Sequence, residues 1–300
     1  MGATNADMMR WNMPMKSYFY FFCIFVLSVL LFQTSFSAEN SDTILIGEID
    51  SSLQCLIKMQ KEIRGIHPFL NELHPIVFAE NDYLYIFDFD TLSGGYSFIK
   101  KEPVPFPLPD KVRASFPLSV YDSKPCCIVT RNIFDSKAGY VTIFHEFMHC
   151  RQFLTCELKL KKDLKIAQEA AKRNDYAWEL NHPFPYSDSL FVKYYSGFME
   201  ALNNRNEVVI AEYRRKLKRH LSQVDFEYLV WQEWKEGFAR LIENRIQSYL
   251  GIEVNQYGKE KPYNRVTFYY GGSKFVDYLI QTEPGLYPDI DALFVRMLNY

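Results

Sequence analysis

Charge of one sign is what this 300-residue chain lacks: 34 Lys and Arg stand against 36 Asp and Glu, a formal net charge of -2. That balance removes the reason to expect nucleic acid or an anionic membrane surface as the main partner. The one basic run, Arg214 to His220, is short and reads as a solvated helix face. No internal repeat, low-complexity tract or Gly/Ser linker divides the chain, which excludes solenoids and strings of small modules. Cysteine is scarce. Cys23 lies in an apolar leader, so Cys55, Cys126, Cys127, Cys150 and Cys156 remain. An odd number leaves at least one thiol unpaired, and their spacings match no zinc knuckle. One or two disulfides tying the early segment to the later one are expected in an oxidising compartment. Aromatics, by contrast, are plentiful, with 25 Phe and 21 Tyr in a chain that is 48% hydrophobic. Such a chain can build a large core and is not wholly disordered.

Arg10 and Lys16 precede an uncharged stretch from Ser17 to Phe32, and the small residues Ser35 and Ser37 follow it. This is the layout of a signal peptide over residues 1–37, cleaved after Ser37. The apolar stretch falls short of the roughly 20 residues that a membrane span needs. Export to a secreted or periplasmic location is therefore expected. The alternative is an uncleaved anchor over residues 17–32, the one route by which a membrane would be a partner. Ala6 stands where N-myristoylation wants Ser or Thr.

Helical periodicity runs over Glu48 to Ile66, with Leu53, Leu56, Ile57 and Ile63 on one stripe. Short β-rich runs follow at Pro75–Phe78, Tyr83–Phe89, Tyr96–Ile99 and Cys127–Thr130. Between them, the Pro-rich stretch Glu102–Asp110 suits only an extended surface crossing. Beyond Asp135 long helices are expected over Lys137–Leu154, Leu158–Ala171, Ser189–Leu202, Glu207–Leu221 and Phe226–Leu250. Shorter ones close the chain at Ser273–Gln281 and Asp289–Leu298. Strands first and helices after predict an α+β fold, with a small, mainly antiparallel sheet and a helix-rich C-terminal part. One domain is expected over 38–300, divided into an α/β lobe at about 38–135 and a helical lobe at about 136–300.

The junction of those lobes carries the chemistry. The sequence from residue 145 reads His145-Glu146-Phe147-Met148-His149. On a helix, positions i and i+4 share a face, so both imidazoles can reach one zinc ion at about 2.0–2.1 Å. Glu146 falls beside the same metal without needing to ligate it, placed to take a proton from water attacking a carbonyl. Zinc needs a third protein ligand. Gln152 and Thr155 stand where the extended metzincin pattern would have Gly and His, which excludes that branch.

A carboxylate from a second helix is the remaining source, and Trp231 to Arg240 reads WQEWKEGFAR. Here the sequence resembles the gluzincins, the thermolysin-like and aminopeptidase-like zinc hydrolases, in which a downstream Glu-Gly-Phe-Ala segment carries the third ligand. On that resemblance Glu236 is the ligand, the fold is zincin-like, and the cofactor is one zinc ion per chain. Glu233 and Glu243 lie on the same helical stripe. Gly237 and Ala239 favour Glu236, because small residues would let this helix approach the histidine helix closely. Glu233 and Glu243 suit supporting or surface roles. The resemblance also implies a later Tyr that steadies the oxyanion, and Phe268-Tyr269-Tyr270-Gly271-Gly272-Ser273, expected to introduce a helix, points to Tyr269 with Tyr270 close behind. His182 is a further candidate donor. The strand before the active helix, Cys127–Asn132, is implied as the edge on which extended substrate pairs. Lys235 stands where aminopeptidase-like enzymes have Asn, so the resemblance implies an exported endopeptidase acting on a peptide or protein. A zinc amidase acting on a non-protein substrate, or a non-catalytic binding protein of zincin fold, are the competing readings.

Overall fold

The computed structural model describes residues 42–300, so the signal peptide or anchor expected over 1–37 lies outside the described residues. Met1–Ser51 and Ser52–Tyr300 separate as two units, and the sheet and every helix after it belong to the second. The expected boundary near 135 is a change of secondary structure within that unit, not a division of it.

A helix over 42–63, α1, buries Leu53, Leu56, Ile57 and Ile63, the stripe expected from periodicity. Five strands follow: β1 (Ile76–Glu80), β2 (Tyr83–Asp90), β3 (Gly95–Pro103), β4 (Arg113–Leu118) and β5 (Lys124–Val129). They form one mixed sheet in the order β3-β2-β1-β5-β4. Three pairings are antiparallel, while β1 and β5 run parallel, with Ile76 opposite Cys127 and Phe78 opposite Val129. The Pro-rich segment explains this order. It leaves β3 at one edge and delivers the chain to β4 at the other, and the β4–β5 turn then slots β5 beside β1. On the way Val104 and Leu108 pack over the face made by Val77, Ile86, Cys126 and Ile128. The crossing expected from the prolines is therefore there, and it also covers one face of the sheet.

β4 was not among the expected strands. Its sequence, RASFPL, has no β-branched residue and holds a proline, which a central strand would not tolerate but an edge strand does. Consequently Cys127–Asn132 is not an edge as expected: β5 lies between β1 and β4, and the edge on that side of the sheet belongs to β4.

Nine more helices complete the described residues: α2 (Lys137–Gln152), α3 (Leu158–Asp163), α4 (Lys165–Lys172), α5 (Trp178–Asn181), α6 (Ser189–Asn203), α7 (Glu207–His220), α8 (Gln223–Tyr249), α9 (Arg265–Thr282) and α10 (Ile290–Leu298). The fold is α+β. α2 begins at Ser136, whose hydroxyl accepts from the Gly139 amide, and packs against β4, β5 and α8. Val141, Ile143, Phe144, Phe147, Met148 and Cys150 leave it no solvent face, as a helix apolar all round requires. It runs straight into a π-helical turn, Phe153–Glu157, a feature that recurs at functional sites.

Two expectations about α8 and α9 need correction. The Tyr-Tyr-Gly-Gly segment does not introduce α9 but lies inside it. Its glycines are there because neighbouring helices press on them: Gly271 meets the Tyr195 side chain of α6, and Gly272 meets the backbone of α8. A Cβ on Gly272 would stand 2.4 Å from the Glu233 carbonyl oxygen, and one on Gly237 2.5 Å from the Gly272 carbonyl carbon. Gly237 thus serves the contact of α8 with α9, not the approach to α2 on which it was expected to act. The basic run on α7 is not uniformly solvated either: Arg214 is fully buried. No disulfide forms among the described cysteines. Cys126 and Cys127 are buried in β5 and Cys150 in α2, and burial pushes the Cys126 and Cys156 thiols up to about 12.

His67 and His74, each followed by a proline, are buried. The His67 Nδ1 accepts from the Phe69 amide at 3.1 Å, which leaves Nε2 to donate to the Tyr287 carbonyl at 2.9 Å. Burial holds both histidines down to about 4 from an ordinary 6.5. Below pH 6.5 the unfolded chain therefore takes up protons that the folded chain refuses until about pH 4. Stability is expected to fall as pH drops through that window, by on the order of 3 kcal/mol per histidine. Urea unfolding from pH 7 to 4.5 measures it. His74→Leu, with nothing to protonate, should flatten part of the slope; an unchanged slope would contradict neutral burial.

Candidate metal centre

The β4 edge, α2, α8 and the first turns of α9 line one part of a cavity of about 580 Å³, and the π-helical turn, α3 and α5 line the rest. His145 and His149 project from α2 as their spacing requires, with Nε2 atoms 3.2 Å apart. From α8 the Glu236 Oε2 stands 3.6 Å from the first and 3.3 Å from the second. Donors held at about 2.0–2.1 Å in a tetrahedron stand about 3.3 Å from each other. The three side chains therefore already occupy three corners of a zinc-sized tetrahedron, and they form the metal-compatible cluster found among the described residues.

Their outer contacts agree. The His145 Nδ1 lies 2.8 Å from Glu243 Oε2, and the His149 Nδ1 lies 2.9 Å from Gln152 Oε1. The Gln152 amide nitrogen donates to the Lys235 carbonyl, which fixes the amide's orientation. Both partners of the rings are thus acceptors, so each Nδ1 carries a hydrogen and each Nε2 is turned to the centre. Burial opposes charge on His145, but Glu236 and Glu243 outweigh it and raise the ring to about 10. Burial would raise Glu236, yet His149 and His145 hold it well below the usual carboxylate range. This is a site that favours positive charge at its centre.

The three carboxylates of α8 divide their work. Glu243 supports His145 and accepts from Arg240 Nε at 3.1 Å, so Arg240 does not neutralise Glu236. Glu233 points away from the cavity to Arg214, at 2.7 Å, and to the Tyr195 hydroxyl, at 2.9 Å. The shared stripe expected for all three does not hold, because ten residues at 3.6 per turn leave Glu233 and Glu243 about 80° apart.

Glu146 lies in the same cavity, and the Ser115 hydroxyl of β4 is shared between its Oε2, at 2.9 Å, and its backbone carbonyl, at 2.8 Å. Tyr269 lines the cavity, whereas Tyr270 does not. Burial pushes the Tyr269 hydroxyl far above its ordinary value, with Glu236 adding to the rise, so it remains a neutral donor. Arg265, one helical turn earlier on α9, donates to it at 2.6 Å. His182 pairs with Asp225 at 2.7 Å and is not in the cavity wall. The far end of the cavity holds a closed set of charges. Lys161 lies 2.6 Å from Glu157 and 2.5 Å from Glu179, and Lys235 lies 3.1 Å and 2.8 Å from the same two. Burial works to raise Glu179, but the two lysines hold it at about 2.

Sequence reasoning missed Ser115, Gln152, Arg265 and this quartet. Two of them left a readable signal: Gln152 is three residues past His149 and Arg265 four before Tyr269, both same-face spacings. No family model, curated protein or solved structure matches the chain.

Proposed function

We propose that the protein is an exported zinc-dependent hydrolase of peptide bonds, with a zincin-like domain of gluzincin type. One observation carries the reading: the spacing of the His145, His149 and Glu236 donor atoms fits a tetrahedral ion, and Glu146 sits beside them in an open cavity. When bound, zinc supplies a Lewis acid that polarises a carbonyl and acidifies water. The residues of the chain do the rest. Glu146 takes the proton of the attacking water and returns it to the leaving nitrogen. Its carboxylate is held by Ser115 through Oε2, which keeps it aimed into the cavity. The Tyr269 hydroxyl, backed by Arg265, donates to the oxygen on which charge develops. The unpaired edge of β4, Arg113–Pro117, replaces Cys127–Asn132 as the ledge for an extended peptide. A structural zinc site would need no buried carboxylate in Glu146's position, which favours an enzyme over a binding protein.

The test combines metal analysis with an unbiased peptide library. About one zinc per chain together with cleavage supports the reading; one zinc per chain and no cleavage sinks the peptidase. Ser115→Ala is expected to keep its zinc and lower kcat by roughly ten-fold or more, the worth of a hydrogen bond to a charged group. KM should move little. Steady-state kinetics on any cleaved peptide would check this, and an unchanged kcat would remove Ser115 from its role.

A further inference from the structure

We propose that Arg265 binds a substrate carboxylate lying next to the scissile bond, so that the cleft selects acidic peptides or free peptide carboxyl ends. The inference rests on the peptidase reading above and names the substrate class for it.

Most charges lining the cavity are matched to one another; the two that are not are Arg113, exposed on the β4 edge, and Arg265. Lys161 and Lys235 are neutralised by Glu157 and Glu179 within the quartet at the far end. Glu236 faces the two histidines, and Glu146 is held by Ser115. Arg265 is the exception near the metal centre. Its one carboxylate neighbour among the described residues is Glu236, through Oε1 at 3.6 Å, and Glu236 is committed to the metal through its other oxygen. With a divalent ion in place, the catalytic end of the cavity therefore holds more positive charge than negative.

Geometry makes that excess usable. Both polar contacts of Arg265 go through a single nitrogen, Nη1, which reaches Tyr269 Oη at 2.6 Å and Glu236 Oε1 at 3.6 Å. Among the described residues Nε and Nη2 have no hydrogen-bond partner, and the side chain is 31% exposed in the cavity wall. A guanidinium with one edge anchored and one edge free is set to receive a carboxylate through two parallel hydrogen bonds. The anchored edge stands only one carboxylate's width from the metal-ligand position. An anionic group taken by the free edge thus lies beside the carbonyl that the metal and Tyr269 act on. A side-chain carboxylate of Asp or Glu and the terminal carboxylate of a peptide share this chemistry.

The experiment uses zinc-loaded protein carrying Glu146→Gln, which can hold peptides without turning them over. Calorimetry measures binding of three N-acetyl dipeptides: one with a free carboxyl terminus, one amidated with a Glu side chain, and one amidated and neutral. At least one acidic dipeptide should bind ten-fold or more tightly than the neutral one, and the stronger of the two identifies the source of the carboxylate. Adding Arg265→Gln should shrink the margin to less than about three-fold, with zinc content and thermal melting unchanged. Arg265→Lys, which keeps the charge but not the fork, should fall between. Equal binding of all three dipeptides, or a margin that survives Arg265→Gln because the carboxylates ligate zinc, would overturn the proposal. If wild-type protein shows the Arg265-dependent margin yet cuts none of the peptides that it binds, the peptidase reading fails while carboxylate recognition stands.

Discussion

Glu146→Gln is expected to leave one zinc per chain in place and to lower hydrolysis by roughly 10²–10⁴-fold, the usual contribution of a positioned general base. The substitution is nearly isosteric, and the residue is only 7% exposed, so packing should not change. Its amide can still meet the Ser115 hydroxyl that now donates to Oε2. The donor atoms of His145, His149 and Glu236 belong to other side chains, and the acceptors behind the rings, Glu243 and Gln152, are untouched. What disappears is the ability to accept a proton, because a carboxamide is no base at neutral pH. Metal analysis beside initial rates on peptides cut by the wild type makes the comparison. Activity within ten-fold of wild type, at equal zinc content, would mean that some other group carries the proton.

How much of the fold and site was legible in the sequence depended on the range of the interaction. The α2 pair needed only helical spacing, so His145 and His149 could be read directly. Glu236 needed the Glu-Gly-Phe-Ala resemblance, since spacing alone admitted Glu233 and Glu243 as well. The structure separates these three by partners that no local pattern reveals: Glu233 meets Arg214 of α7, and Glu243 meets His145 of α2. β4 was illegible because its six residues carry a proline and no β-branched side chain, which only an edge position permits in a strand. With it went Ser115, whose role exists only through the sheet order. Gly237 was read for its smallness, correctly, but which helix presses on it is a tertiary fact. The Gly-Gly pair inside α9 would normally weaken a helix, and it is tolerated where no side chain could fit, Gly271 against Tyr195 of α6 and Gly272 against α8.

Glu233→Ala is expected to cost about 3–5 kcal/mol of stability, the penalty for stranding one member of a buried ion pair. Glu233 and Arg214 are both fully buried, with Nη1 and Oε2 at 2.7 Å. The Arg214 Nε already lacks a partner. Removing the carboxylate would leave the guanidinium with the Met297 carbonyl at 3.3 Å, and the Tyr195 hydroxyl would lose its acceptor. Zinc affinity of the folded protein should nevertheless survive, because Glu233 points away from the metal centre. Glu236→Ala should do the reverse, weakening zinc binding far more than folding. Urea melts and zinc titrations on both variants, at a temperature where each is folded, separate the two effects. Zinc loss in the Glu233 variant with retention in the Glu236 variant would overturn the ligand assignment.

The candidate metal ligands come from two helices far apart in the chain, α2 and α8, and α8 also carries the Arg214 ion pair and the close contact with α9. An ion bound there is therefore a cross-link between the layer that packs on the sheet and the helical layer behind it. By mass action its stabilisation grows with free metal, by about 1.4 kcal/mol for each ten-fold rise above the dissociation constant. Resistance to heat and to proteolysis then becomes a reading of metal supply. Scarcity of the ion would loosen α8 against α2, so the protein's lifetime would follow the zinc concentration around it.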